Sequence, residues 1–510
     1  MDARYLGIIV YPIVLLAIGI VASRRTRDVR DYFAAGKRLG FLSVAFSARA
    51  TGESGWLLLG LTGMGAAAGV QAFWVVVGEV LGVAGGWLFM ARRFKRLTDR
   101  YDSITVPDYL ESRFRDSGHL LRLVSAGALV IFVTIYVSAQ IDATGKAFDQ
   151  FLGWNYYLGG LVGFGVVMAY IVTGGFLAVV WSDVFQGALM LLGLVALPIT
   201  AFVLAGGTGA VFDGLRAQDP GLLSPWGPEG LSGLTILKIL SFAMIGLGFL
   251  GSPQVFVRFL ALRSENEIGR GALVAIVWTI LADSGAVLVG MVGRHLLMSP
   301  GQDLEAVLGQ AGQNVMPALV NHTMPAIIIG LYIAVVLSAI MSTVDSLLVV
   351  ASSAFVRDYH QKVRHPDLPD SALVGLSHRA TFVMAILALG VAFTVAVISP
   401  DHTIFWFIIF GWSGIAATFC PTIILSLFWS RMTARGALAA MVVGFLCVPL
   451  FKFGAPALPK IGDAFGTLQE LPPSFLISGI VGIVVSLLDS RGQRHVEQYR
   501  SDLNDAAGKS

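Results

Sequence analysis

The sequence predicts an all-α polytopic membrane protein with about thirteen transmembrane helices and a core of two inverted five-helix halves. Three observations carry this. Of 510 residues, 56% are hydrophobic and 13% charged, against about 25% charged in a soluble domain, and mean hydropathy is +0.77. Apolar runs of about 20 residues, enough to cross a bilayer, recur along the whole chain. The loops between them alternate between rich in Lys and Arg and nearly free of them.

The spans fall near 5–23, 39–68, 70–91, 119–148, 156–173, 175–205, 234–261, 269–297, 324–356, 377–398, 402–428, 434–453 and 471–489. Basic residues crowd the loop after the first span (Arg24, Arg25, Arg27, Arg30) and after the third (Arg92, Arg93, Lys95, Arg96). They recur after the seventh, ninth and eleventh and in the tail (Arg263, Arg357, Arg431, Arg491). Basic loops mark the cytoplasmic side, so the N-terminus is expected outside and the C-terminus inside. The first run is followed, not preceded, by its basic cluster and reads as a span rather than a leader.

The second span is apolar at both ends but holds Arg49, Thr51, Gly52, Glu53, Ser54 and Gly55 in its middle. A charge at mid-bilayer costs at least about 2.5–3.5 kcal/mol. Irregular backbone is tolerated at that depth only where it lines a protein cavity. The helix is therefore expected to break here, as at the ion and substrate sites of secondary transporters. Glu79 adds a further acid in the third span. In the sixth, Asp183 lies about two turns into an apolar run and needs a partner or a cation. The seventh carries Gly246, Gly248, Gly251 and Pro253 together, hard to read as regular helix. Two interrupted helices five spans apart give inverted halves, spans 2–6 and 7–11, with core helices at about 39–430. The spans 5–23, 434–453 and 471–489 flank this core within a single transporter domain, 1–510.

In the ninth span, Ala339, Ser342, Thr343 and Ser346 share one helix face, with Asp345 at its border. Hydroxyls on such a face can bond back to their own helix or serve as oxygen ligands for a hard cation. A stripe of them beside an acid favours the second reading.

Several functions are excluded. No phosphate-binding loop is present to drive transport by ATP. No Arg-rich voltage sensor or repeated filter sequence points to a channel. The eight histidines form no metal or catalytic grouping, so a membrane enzyme is not expected, and the short tail offers no signalling domain for a sensor. A net charge of +3 spread over loops gives no nucleic-acid surface. Cys420 and Cys447 lie in apolar segments and read as buried thiols.

The chain resembles the sodium/solute symporter family, and within it the proline-transporting branch. The likeness rests on Ser54-Gly-Trp-Leu-Leu58, Thr105-Val-Pro-Asp-Tyr109, Phe132-Val-Thr-Ile-Tyr136, Gly174–Asp183, Arg258-Phe-Leu-Ala261, Met341-Ser-Thr343 and Phe428–Leu438, and it covers nearly the whole length. The segments at Gly174 and Arg435–Gly444 resemble the two family signatures. The resemblance implies a LeuT-like ten-helix repeat in the cell membrane and sodium-driven uptake of a small solute. It implies a sodium site from the backbone of Ala50 and Glu53, the carbonyl of Ala339 and the hydroxyls of Ser342 and Thr343. Asp183, Asp345 and Ser346 are then expected to form a second cation or proton site. Ser54, Gly55, Trp56, Tyr136, Ile245 and Pro253 map to the substrate pocket.

Departures from the branch are concentrated at the break. Gly52 stands where the branch has an aspartate, Glu53 and Glu79 replace apolar residues, and Arg49 replaces a small one. Arg49 and Glu53 are spaced i, i+4 and are expected to pair. Either the carboxylate has moved by one position, or Arg49, Glu53 and Glu79 form a buried structural network. Ser54, Gly55, Trp56, Tyr136 and Pro253 match the branch, so the first solute expected is L-proline; Ile245, where the branch has a tryptophan, leaves another amino acid, pantothenate or a monocarboxylate as alternatives.

Overall fold

In a bilayer every backbone N–H and C=O must be satisfied within its own segment or by neighbouring protein, and this chain is helical almost throughout. The computed structural model describes residues 3–25, 29–400 and 402–508; Arg27 of the first basic loop lies outside them. Among the described residues no strand forms, and the one extended pairing is a bridge between Leu39 and Leu262. Eleven helices are long and apolar enough to cross a membrane, with a shorter apolar helix at Tyr156–Tyr170.

One of the eleven, Phe41–Arg100, contains both the second and the third expected segments. The chain turns back at Gly69, where φ is +59°. Packing on the eighth segment, Ile268–Leu297, shows the reversal. Arg49 stacks on Trp278 and Gly65 abuts Val287, whereas Trp87 returns to Gly271. The fifth and sixth segments run together as Tyr156–Leu204 but are divided at Gly175, φ +59° and ψ −161°. Only glycine takes that backbone geometry readily.

The seventh segment is interrupted as its Gly and Pro residues predict. Helix Gly233–Met244 passes into a tighter turn at Ile245–Leu250, Gly251 takes φ +159°, and helix resumes at Pro253–Ala261. Small residues let this segment touch the third backbone to backbone. A Cβ on Gly78 would lie 2.0 Å from the Ala243 carbonyl oxygen, and one on Gly246 would lie 1.9 Å from that of Gly78. Such contacts drive helix association in lipid.

Some boundaries differ from expectation. The third segment runs past the apolar run into Ala91–Arg100, where Lys95 and Arg96 find partners in the Leu260 carbonyl and Glu265. The tenth begins at Asp370 rather than 377. The tail forms a helix, Ser490–Ala506, that returns to this third-segment extension through Arg100–Asp502 (2.8 Å) and Arg100–Asp505 (2.5 Å). Cys420 and Cys447 are both free and buried.

The two ends of the bundle differ. At the basic-loop end Arg122 bridges Asp108 (2.6 Å), Asp358 (2.5 Å) and Glu111 (2.7 Å), tying the short helix Val106–Phe114 to the fourth and ninth segments. Burial acts to raise the Glu111 carboxyl, but the Arg122 fork and His119 outweigh it and hold it below the ordinary glutamate range. The opposite end holds a cavity of about 460 Å³, with Gln71, Lys238, Gln313, Phe405 and Trp406 in its wall.

Arg122 is almost wholly buried, so removing it strands the buried carboxylate of Asp358. Breaking one side of a buried ion pair costs about 3–5 kcal/mol, whereas removing both sides is often neutral. Arg122→Gln is therefore expected to lose that much stability in detergent, and Arg122→Gln with Asp358→Asn to regain most of it. Thermal unfolding followed by size-exclusion fluorescence checks this; equal stability of the single variant and wild type would refute it.

Candidate functional site

The second segment breaks at Ser54. Phe41–Gly55 is helical except there, with φ 53° and ψ −171°. This region of backbone space is nearly glycine-only and costs other residues about 1–3 kcal/mol. Gln140 on the fourth segment, fully buried, clamps the strained turn. Its Oε1 accepts from the Gly55 amide at 3.0 Å and its Nε2 donates to Ser54 Oγ at 3.3 Å.

Carbonyls at the end of the helix then find partners outside their own turn. Ser342 Oγ donates to the Ala50 carbonyl at 2.9 Å, and Thr343 Oγ1 donates to that of Thr51 at 3.0 Å. The Trp56 indole donates to the Gly52 carbonyl at 3.2 Å. Both ninth-segment hydroxyls also lie 3.2–3.3 Å from the Ala339 carbonyl. Ala50, Ala339, Ser342 and Thr343 thus come together. The other carbonyl meeting them is that of Thr51, while Glu53 turns its carboxylate to Arg49. Three carbonyls and two hydroxyls in a dry site are the neutral oxygen set a hard cation takes at a helix break. Ser338 on the same helix only bonds back to Ala334, at 2.7 Å.

One helical turn away lies a second polar cluster. Asp183 is held by Arg258 at 2.9 Å and by Ser47 at 2.5 Å, all buried. The guanidinium also donates to Thr51 Oγ1 (2.6 Å) and Ser346 Oγ (2.5 Å). Asp345 accepts from Tyr170 at 3.0 Å and from Ser346 at 3.2 Å. The residues expected at a second cation or proton site therefore meet, but the charge facing Asp183 is Arg258. Arg258 stood in a quoted motif, yet its pairing with an acid 75 positions earlier is purely tertiary.

Arg49 pairs with Glu53 as the i, i+4 spacing requires and lies 3.7 Å from Glu79. Its guanidinium sits 4.6 Å from the Phe249 ring centre and 5.6 Å from that of Trp278. Asp283 on the eighth segment joins this group. It went unnoticed in the sequence, although a lone acid in an apolar run is the same signal that marked Asp183.

Of the expected substrate residues, Ser54, Gly55 and Trp56 form the break itself. Tyr136 and Ile245 meet through Trp412, whose ring lies 6.5 Å from that of Tyr136 and whose indole donates to the Ile245 carbonyl at 2.9 Å. Pro253 is apart from them, in an apolar niche with Phe33, Val106 and Val349. Trp56 packs edge-on against Phe405, a wall residue of the 460 Å³ cavity. Gln140 and Trp412 are site residues that sequence reading did not find, because neither type stands out in an apolar helix.

Two interrupted helices, facing hydroxyls and buried charges at mid-span define a secondary transporter with an inverted-repeat core. A profile of the sodium:solute symporter family matches residues 32–444, and the chain belongs to that family. It is 36% identical over 495 residues to the high-affinity proline transporter PutP of Bacillus subtilis (strain 168), covering 96% of this chain and 99% of that one. It is 32% identical over 485 residues to the sodium/proline symporter of Escherichia coli (strain K12), covering 94% and 92%. Among solved structures, a Na+-coupled sialic acid symporter in a substrate-bound outward-open state matches with a TM-score of 0.78 at 20% identity, over 96% of this chain and 98% of the other.

Neutralising Asp183 would leave the Arg258 charge unbalanced beside Thr51 and the neutral oxygen set. At an effective dielectric of about 20, a unit charge several ångströms away repels a cation by more than about 1.4 kcal/mol, a tenfold loss of affinity. Asp183→Asn is expected to raise half-saturating sodium at least about tenfold, and adding Arg258→Met to reverse much of that. The sodium dependence of uptake reads it; an unchanged half-saturation in Asp183→Asn would refute the electrostatic coupling.

Proposed function

We propose that this chain couples inward movement of sodium to uptake of L-proline across the cell membrane by alternating access. Its basic loops face the cytoplasm, and it acts as one transporter domain. Sodium dependence comes with the family, and proline is carried by full-length likeness to proline transporters at 31–36% identity. The observation that supports the ion's place is the meeting of Ala50, Thr51, Ala339, Ser342 and Thr343 at the broken helix. Ser54, Gly55, Trp56, Tyr136 and Trp412 surround the place for the solute. The cavity beyond Phe405 is its approach from outside, and the Arg122 network is the closed gate on the inner side.

Ile245 favours a second reading, in which the solute is another small amino acid or a carboxylate such as pantothenate or a monocarboxylate. A tryptophan is expected at that position in the proline branch, and a smaller side chain changes what packs on the solute.

Uptake by proteoliposomes decides both points. Labelled proline is expected to accumulate under an inward sodium gradient and not under a potassium gradient. A hydrogen bond or ligand to a charge contributes about 1.5–3 kcal/mol. Ser342→Ala and Thr343→Ala should each therefore raise half-saturating sodium about 10- to 100-fold. Sodium-independent uptake, or wild-type sodium dependence in both variants, would refute the proposed site. Stronger competition by another solute would move the assignment to that solute.

A further inference from the structure

Glu53, Glu79 and Asp283 come from the second, third and eighth segments and are each at most 1% exposed. One oxygen of each lies within 4.8 Å of the other two. A common centre is then no more than about 2.8 Å from all three, the reach of an oxygen-ligated hard cation. Arg49 is the one fixed positive charge among them, contacting Glu53 and, at 3.7 Å, Glu79. Among the described residues Asp283 has no ion pair and no hydrogen bond to either oxygen, and no donor other than Arg49 reaches Glu53 or Glu79. Three carboxylates against one guanidinium leave negative charge uncompensated in a dry interior, where a lone ion is strongly disfavoured.

Among the described residues, the surroundings offer no other fixed charge. The seventh segment contributes the face of Phe249 and the eighth that of Trp278. The further titratable group within electrostatic reach is Tyr136 of the fourth segment, whose buried hydroxyl faces Ser54. The cluster is separate from the neutral oxygen set: Ser342 and Thr343 meet the carbonyls of Ala50 and Thr51 on their side of the second segment, whereas the Glu53 carboxylate turns to Arg49.

We infer that Glu53, Glu79 and Asp283 form a site for one exchangeable sodium ion, in addition to the ion at the broken helix. Arg49 is its resident counter-charge, pairing with Glu53 and limiting the site to a singly charged guest. Emptying the site exposes like charges within a few ångströms, so occupancy holds the second, third and eighth segments together. Carboxylate oxygens from three helices suit a sodium ion. The inference adds to the transport reading, but solute-free binding tests it separately. A chain that binds this cation yet takes up no proline would refute only the transport reading.

The experiment is equilibrium binding of radiolabelled sodium to the purified full chain in lipid nanodiscs without solute. Wild type is compared with Glu79→Gln and Asp283→Asn. Wild type is expected to bind one more ion per chain than either variant. Should both variants fail to fold, Glu53→Gln is counted in their place. The same count in wild type and a folded variant overturns the inference, as does a single bound sodium per chain in wild type.

Discussion

A helix that ends inside a membrane leaves carbonyls that lipid cannot satisfy, and this molecule is organised around supplying them. Ser54 takes a backbone geometry that favours glycine, and Gln140 holds it there through both the Gly55 amide and the Ser54 hydroxyl. The Ala50 and Thr51 carbonyls are met by Ser342 and Thr343 from the ninth segment. A hydroxyl is both donor and acceptor. The same two groups can donate to those carbonyls or, with a cation between them, turn their lone pairs towards it alongside the carbonyls. On the proposed reading, cation binding would exchange these hydrogen bonds for coordination without leaving a backbone group stranded, and would change the contact between the second and ninth segments in doing so.

The buried charges follow the same boundary. Asp183 lies in the first half of the repeat and Arg258 in the second; Arg49, Glu53 and Glu79 lie in the first and Asp283 in the second. Ion pairs in a dry interior gain little net stability, because desolvation offsets attraction, but they punish the loss of one partner. Placed across the interface between halves, they make relative motion of the halves sensitive to charge. The Arg258 guanidinium contacts Thr51 and Ser346 directly, so on the proposed reading a cation at the break would be felt by it.

Much of this was legible in the sequence because membrane segments obey simple constraints. Gly and polar residues inside apolar runs located both breaks, and the hydroxyl face of the ninth segment followed from helical period alone. The Arg49–Glu53 pair followed from i, i+4 spacing. What could not be read was set by tertiary contact. Arg258 finds Asp183 across the repeat, Asp283 approaches Glu79 from another helix, and Gln140 reaches the break from the fourth segment. Thr51 shares the ninth-segment hydroxyls with Ala50, because adjacent carbonyls in the last helical turn meet the adjacent hydroxyls Ser342 and Thr343. Pro253 starts the helix after the second break and so falls on the far side of it. Segment ends were blurred where helix continues beyond the apolar run, as at Ala91–Arg100.

The difference between the two ends of the bundle gives these contacts a direction. At the basic-loop end, Arg122 holds three carboxylates on two elements, and opening there means separating charges in a largely dry setting. At the other end the barrier over the site is the aromatic contact of Trp56 with Phe405, below a cavity of about 460 Å³. An edge-to-face aromatic pair contributes about 0.5–1.5 kcal/mol beyond burial, far less than a multiply bonded buried arginine. Parting this aromatic pair therefore costs less than parting Arg122 from its carboxylates. On the proposed reading, solute and ion would enter from the cavity side before anything has compensated the opening of the basic-loop end. Filling the gap at the break, and with it the contact between second and ninth segments, is the step that can offset that cost.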